Sequence, residues 1–520
     1  MHKISARVNK ITLFFKNLNE KQILLILLGI TFILRLYAVL MAQGIAYDGA
    51  HYGFVAREFL KGHFIKGLSS PAPPFYPFLI SLFSMDTPHV EIIGRCLSLF
   101  FGTFTIIPLF YLVKKTIGQK EAIFSALFYT FHPYLVTYSG MMLTEATYWG
   151  ILILSVYFFW TGLKKESVWR TALSGCFLGL AYLTRPEGIG YVLVYLLWII
   201  VNGGLKKKWL KKFILMGVLI LTVFIFVVPY VIYIHQETGQ WLISKKAVDA
   251  QSHFIKKNIE EIKPSKGGEQ DKPVKRNSII IWIARTIVHD FPSVLYHYLR
   301  AYHFSLWLFL FFGLIRVRRK GITDEWFLTS LVLFHLLSLS TIPHSTIRFS
   351  VPVIPLSLFW GGAGVLEMKR YMEKIKIAIP ENAIFLIIAV VILVQLPQSL
   401  KPERGHRAFQ KKVGLWLKQN TPADAVIMSN SPQETFYADR EFMMLPEGSS
   451  PPRDPGKSYD EMIRYAKSKR VRYILIDKNA QERNPGFIDA IQSKGRSQSK
   501  DLKEVFRKVD QSLIIYEVID

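Results

Sequence analysis

Apolar runs of about 20 residues recur along the first ~400 residues of this chain, and clusters of Lys and Arg close alternate runs. A run of that length crosses the ~30 Å hydrocarbon core of a bilayer as one helix. Eleven such spans are expected, at 23–42, 92–112, 121–138, 143–163, 168–184, 188–203, 213–234, 302–315, 325–342, 350–367 and 382–396. The second, fourth, sixth, eighth and tenth end on Lys114 and Lys115, Lys164 and Lys165, KKKWLKK (206–212), RVRRK (316–320) and KRYMEKIK (369–376). Basic loops stay in the cytoplasm, so this alternation sets a cytoplasmic N-terminus and places residues 398–520 outside. The chain reads as an α-helical polytopic protein of the plasma (inner) membrane.

Composition agrees once the placement of charge is taken into account. Of 520 residues, 51% are apolar, 14% aromatic and 20% charged, which is too apolar for a disordered chain. The net charge of +26 would suit nucleic acid, but its basic residues punctuate membrane spans, so a nucleic-acid partner is not expected. Cys96 and Cys176 fall in separate spans and imply no disulfide framework. The basic start is followed by an apolar run, 23–41, without a small-x-small cleavage pattern, so it reads as an uncleaved first span. Arg35 inside that span has to snorkel or pair within the bundle.

The expected domains are a transmembrane domain, 1–397, with long outer loops at 43–91 and 236–301, and an extracytoplasmic domain, 398–520. In the first loop, PAPPFYPFLISLF (71–83) is apolar but too short to span, so it is expected at the interface. In the second, residues 244–277 are strongly charged, and SIIIWIARTIVHDFPSVLYHYL is amphipathic. The tail alternates helix-like and strand-like segments: AFQKKVGLWLKQN, DAVIMSN, YDEMIRYAKSKR, VRYILID and SLIIYEV. That pattern predicts a small α/β domain. It contains no G-x-G-x-x-G and no phosphate-binding loop. No H-E-x-x-H, C-x-x-C pair or G-x-S-x-G supports a zinc protease or serine hydrolase anywhere.

Ionisable groups at the outer ends of the spans carry the chemistry. Asp48, in AYDGAHYGFVAREFLKG, sits between Tyr47 and Tyr52 at the membrane boundary, where desolvation makes a carboxylate a better base. The bland alternative is a helix N-cap. His51 lies three residues on and could orient it, or simply pack. Glu145, in YSGMMLTEATYWG, falls on the same side and could hold an acceptor hydroxyl or, with Asp48, a divalent metal. Its alternative is a capping box. Arg185 and Glu187 lie in the turn LTRPEG (183–188), and His344 and Arg348 in TIPHSTIRFSVPVIP (341–355). Arginine at headgroup depth grips phosphate through its planar fork; the alternatives are a snorkelling turn and interfacial anchoring. His132 precedes Pro133 and reads as structural. All four charged sites share one face of the membrane.

These motifs, in this order, resemble the GT-C glycosyltransferases, especially bacterial relatives of the protein O-mannosyltransferases and of the aminoarabinose transferase acting on lipid A (glycosyltransferase families 39 and 83). The matching segments are YDGAHYGFVAREFLKG with PPFYPFLISLF, then YSGMMLTEA, LTRPEG and RFSVPVIP. The resemblance implies inverting transfer of a sugar from a polyprenyl-phosphate donor to a hydroxyl of a glycan, lipid or protein on the outer face. Carried over by residue, it implies Asp48 as the base and Glu145 as the second acid, for acceptor or metal; beside that, the residues themselves offer His51 and Tyr52 as support for Asp48. It implies Arg348 on the donor phosphate with Arg185 as its helper; the residues themselves add His344, four positions from Arg348, and Glu187 beside Arg185. Two departures are plain: Glu145 stands where many members have Asp, and Gly140 where several have Arg. Lys61 and Lys66 are the candidates for a family lysine on the donor phosphate. A polyprenyl-linked lipid or sugar transporter would instead place its charges near the midplane and show repeats. A non-catalytic envelope-assembly protein would depend on its tail more than on Asp48.

Overall fold

The computed structural model describes residues 18–86, 89–201, 208–245, 277–316, 323–341, 346–376, 381–401, 405–445, 455–477, 480, 501–508 and 512–519. His344, most of the charged stretch 244–277 and the basic residues 317–320 lie outside the described residues. Two compact units form: Met1–Met41 with Val55–Lys401, and Ala42–Phe54 with Pro402–Asp520.

The first unit is a helical bundle and the chain is a membrane protein. Five described helices are long and apolar enough to cross a bilayer: Glu20–Met41, Val90–Thr116, Thr144–Lys164, Trp209–Thr238 and Ile347–Lys374. A sixth arises if Val288–Tyr302 and Phe304–Arg316, bent by 85°, count as one span. His303, at φ 70°, marks that break. Each of the eleven expected segments is helical over most of its described length, several of them short. The segment expected at 121–138 is two helices, Gln119–Phe131 and Pro133–Ser139, because His132 is extended and Pro133 opens the second. The loop 43–91 carries helices Tyr47–Leu60, Phe64–Leu68 and Phe75–Phe83.

Burial separates centre from rim. Thr144–Lys164 and Ile347–Lys374 are 83% and 89% buried over their apolar windows, whereas Glu20–Met41 and Trp209–Thr238 are 33% and 28% buried. The rim helices turn Leu25, Ile33, Leu210 and Leu221 outward, as lipid contact requires. Small residues let central helices touch. A Cβ on Gly364 would lie 1.8 Å from the Phe309 carbonyl oxygen, and one on Gly313 2.0 Å from that of Trp360. Arg35 pairs inside the bundle: its guanidinium lies 4.7 Å from the centre of the Tyr129 ring and Nη2 donates to the Tyr129 carbonyl at 3.2 Å.

In the second unit, strands β1 (Val426–Ser429), β2 (Glu441–Met444), β3 (Val471–Asp477), β4 (Leu502–Arg507) and β5 (Leu513–Val518) form one sheet in the order β2-β1-β3-β5-β4. β2, β1 and β3 are parallel; β5 is antiparallel to β3 and β4. Alternation along the strands feeds two cores. Met428, Ile474, Ile476, Ile514 and Tyr516 pack with Tyr459 and Ile463 of helix Pro455–Ser468. Ile427, Tyr473, Leu475 and Ile515 pack with Val413 and Leu417 of helix Gly405–Asn420 and Ala438 of helix Pro432–Ala438. With helices on both faces, the central strand VRYILID reads as nearly continuous apolar sequence.

Candidate active site

Helix Thr144–Lys164 begins after Leu143, which is extended and offers no side-chain cap. Glu145 is therefore in the first turn without a capping box, and it is fully buried. Its Oε1 accepts from two guanidinium groups. Arg185 Nη1 donates at 3.2 Å, and Arg348 Nε makes a close contact with the same oxygen. Oε2 is buried with no partner among the described residues.

Each arginine is placed by a break in its chain. Arg185 is extended at the end of helix Val168–Thr184, and Pro186 opens the 3-10 turn Pro186–Gly190. In that turn a Cβ on Gly188 would meet the Tyr182 amide nitrogen at 2.8 Å, so the tight return in LTRPEG needs glycine. The return brings Glu187 Oε1 to 3.1 Å from Arg185 Nη2. Arg185 also lies over the rings of Tyr148 and Phe349, at 5.9 and 5.6 Å. Arg348 stands in the short helix Ile347–Ser350, ahead of Val351–Val353 and the long helix Ile354–Lys374.

The two arginines differ in access. The Arg185 side chain is 9% exposed and is held by two carboxylates and two rings, whereas that of Arg348 is 28% exposed. A buried carboxylate holding one guanidinium by its Nε is a fixed mount for a cation that faces an accessible space. Behind Phe349 lies His335, which the sequence reading missed. Tyr191 Oη and His335 Nδ1 are 2.9 Å apart, and His335 Nε2 is 3.4 Å from the Phe349 carbonyl oxygen. With Nε2 protonated, His335 donates to Phe349 and accepts from Tyr191, which ties down the residue after Arg348. Its signal was in the sequence: a histidine within the apolar run FLTSLVLFHLLSL.

Asp48, His51 and Tyr52 belong to the second unit. Helix Tyr47–Leu60 starts one residue before Asp48, so Asp48 lies in the first turn, where the helix dipole favours a carboxylate, and not at the N-cap. Tyr52 is buried. The His51 ring is 4.9 Å from that of Tyr47 and 5.8 Å from that of Phe442, both edge-on. Lys66 is exposed and lies 3.4 Å from Glu58, and Lys61 is exposed.

The family model described as dolichyl-phosphate-mannose-protein mannosyltransferase matches residues 71–233. No curated protein matches the sequence. Among solved structures, ArnT from Cupriavidus metallidurans bound to undecaprenyl phosphate superposes with a TM-score of 0.60 at 11% identity, over 95% of this chain and 98% of that one. The oligosaccharyltransferase AglB from Archaeoglobus fulgidus, in complex with an inhibitory peptide and a dolichol-phosphate, gives 0.56 at 12% identity, over 89% and 70%. The chain has the GT-C fold of membrane glycosyltransferases.

Within the GT-C fold, the departure at Gly140 has a steric reason here. A Cβ at that position would sit 2.7 Å from the Ala38 carbonyl carbon, which leaves no room for arginine. Glu145 does not suit a metal: its charge partners are two guanidinium cations, which a divalent ion at the same carboxylate would face. Among the described residues no group of three or more His, Cys, Asp or Glu is placed to share a metal ion.

Proposed function

We propose that this chain transfers a sugar from a polyprenyl-phosphate donor to an acceptor hydroxyl on the extracytoplasmic face of the plasma (inner) membrane, with inversion. The observation that carries this reading is Arg348, a partly exposed guanidinium mounted on the buried Glu145 carboxylate. A fixed cation of this kind suits a phosphate diester that gains charge as its sugar leaves. Undecaprenyl phosphate in the ArnT structure and dolichol-phosphate in the AglB structure support the donor class.

In this mechanism the acceptor oxygen attacks the anomeric carbon, and the bond from that carbon to the phosphate oxygen breaks. The acceptor proton passes to the Asp48 carboxylate, and polyprenyl phosphate leaves with its new charge facing Arg348. One displacement inverts the anomer. Glu145 is a positioning residue that fixes Arg348, and Arg185 braces Glu145. His344 assists Arg348 with the donor phosphate, and His51 and Tyr52 support Asp48. The acceptor is a glycan, lipid or protein hydroxyl. Transfer from short-chain polyprenyl-phosphate sugars by purified wild type, lost in a folded Asp48→Asn variant, is the expected result. Full transfer by Asp48→Asn would remove Asp48 as the base.

A further inference from the structure

The second unit carries a group of buried polar side chains for which the transfer reaction has no use. From β1 the chain passes through helix Pro432–Ala438 to β2 on one side, then through helix Pro455–Ser468 to β3 on the other. The strand order therefore reverses direction at β1, and the carboxyl ends of β1 and β3 flank a topological switch point. In parallel α/β sheets the crevice at such a point is where ligands bind.

The residues that leave β1 there are Ser429, Asn430, Ser431, Pro432, Gln433, Glu434 and Thr435, all of them buried. Ser429 and Ser431 are committed to the turn: the Ser431 amide donates to Ser429 Oγ at 2.9 Å, and Ser431 Oγ donates to Asp477 at the end of β3. Asp477 Oδ1 accepts from the Ala480 amide at 2.7 Å. Asn430 is 4% exposed, and both its amide nitrogen and its amide oxygen lack a partner among the described residues. Glu434 Oε2, Gln433 Oε1, Thr435 Oγ1 and Gln410 Oε1 lack one as well. Buried polar groups are nearly always hydrogen-bonded, so five orphaned atoms in the stretch 430–435, with a sixth on helix Gly405–Asn420, require an explanation.

The geometry points to a second binding site at the carboxyl ends of β1 and β3, which takes a neutral polyhydroxylated ligand, a glycan segment. The chemistry of the orphaned groups selects that class. Amides and a hydroxyl supply donors and acceptors side by side, and a sugar hydroxyl is both at once. A phosphate would meet the Asp477 carboxylate, which Ser431 holds beside the group and which repels an anion. Burial, with Asp477 nearby, pushes the Glu434 carboxyl up to about 8, which leaves it protonated at neutral pH and able to donate. The ligand class stands without the transfer reading; that the glycan is the acceptor rests on it.

The test measures binding and needs neither donor nor turnover, so its failure is distinct from failure of the transferase reading. Full-length protein in nanodiscs is titrated with mannotriose, maltotriose and triacetylchitotriose while amide hydrogen exchange is followed over 427–437. Saturable slowing of exchange by at least one trisaccharide is expected. Asn430→Leu should weaken it at least tenfold, and Glu434→Gln, which keeps a donor and an acceptor, less than threefold. Unfolding temperatures of both variants establish that they are folded. If no trisaccharide slows exchange in wild type, or if folded Asn430→Leu binds as wild type does, the site holds only water and the proposal falls.

Discussion

Two clusters of charge tie the bundle together, one at each end of helix Thr144–Lys164, and they differ in access. Twenty rises of 1.5 Å separate their levels by about 30 Å, the depth of a bilayer core. Near Lys164, which bonds Asp324 at 2.7 Å, one guanidinium lies between two carboxylates: Arg316 is 2.8 Å from Glu121 and 3.4 Å from Glu325. Near Thr144, Glu145 lies between the guanidinium groups of Arg185 and Arg348, and Glu187 pairs with Arg185 as well. Arg316 is 4% exposed, and its charge is more than matched by carboxylates. Arg348 is 28% exposed and shares its carboxylate with another cation. Charged groups at membrane depth thus do two kinds of work in one bundle. The first cluster closes a seam, and the second keeps one guanidinium partly open to an anion. What distinguishes them is access, since both are networks of buried ion pairs.

The sharpest way to break the comparison is to remove the central group of each cluster. Glu145→Gln leaves two guanidinium groups facing each other, and Arg316→Met leaves two carboxylates; each should cost about 3–5 kcal/mol of stability, read as denaturant midpoints in detergent. Only Glu145→Gln should also lose transfer, and folded Arg316→Met should keep it within about threefold. Equal loss of turnover per folded molecule in both would erase the distinction. Next in size is Arg348→Ala, which should lower the rate of transfer about 10²–10³-fold, the effect of deleting one preorganised donor. Its stability should change less than that of Glu145→Gln, because Arg185 still pairs with Glu145.

Two smaller effects bear on the scaffold around the clusters. Gly364→Ala drives a methyl group into the Phe309 carbonyl and should cost about 1–3 kcal/mol, with the helix pair Trp307–Arg316 and Ile354–Lys374 loosening first in hydrogen exchange. In the second unit, Glu434 titrates at about 8 when folded, well above its usual carboxylate value. The folded state then holds a proton that the unfolded state has released. Stability is fully present at low pH and falls as pH rises towards 8, by about 1.4 kcal/mol per unit. Glu434→Gln should flatten that slope in exchange measurements over β1 and β3 between pH 5 and 8.

Much of this was legible in the sequence, and what was not has physical causes. Glu145, Arg185, Glu187 and Arg348 stand out because an ionisable group beside an apolar run is costly. That Glu145 holds both arginines was not legible, because its partners are 40 and 203 residues away. The interruption at His132 was missed because the apolar run continues through it, although Pro133 marked the place. In the tail, VRYILID and SLIIYEV were legible as strands because both are long and buried. Strand β2 was not, since EFMM is four residues on an edge. Helix Pro432–Ala438 was missed because PQETFYA looks polar, yet every residue in it is buried. That contradiction between polarity and burial is the ground for the glycan site.

The most direct measurement is the affinity of wild type, Arg348→Ala and Arg316→Met for a short-chain polyprenyl phosphate in nanodiscs. The account predicts tight binding by wild type and Arg316→Met and at least tenfold weaker binding by folded Arg348→Ala. Equal affinity in wild type and Arg348→Ala would contradict it, and would make the cluster around Glu145 a seam like the one around Arg316.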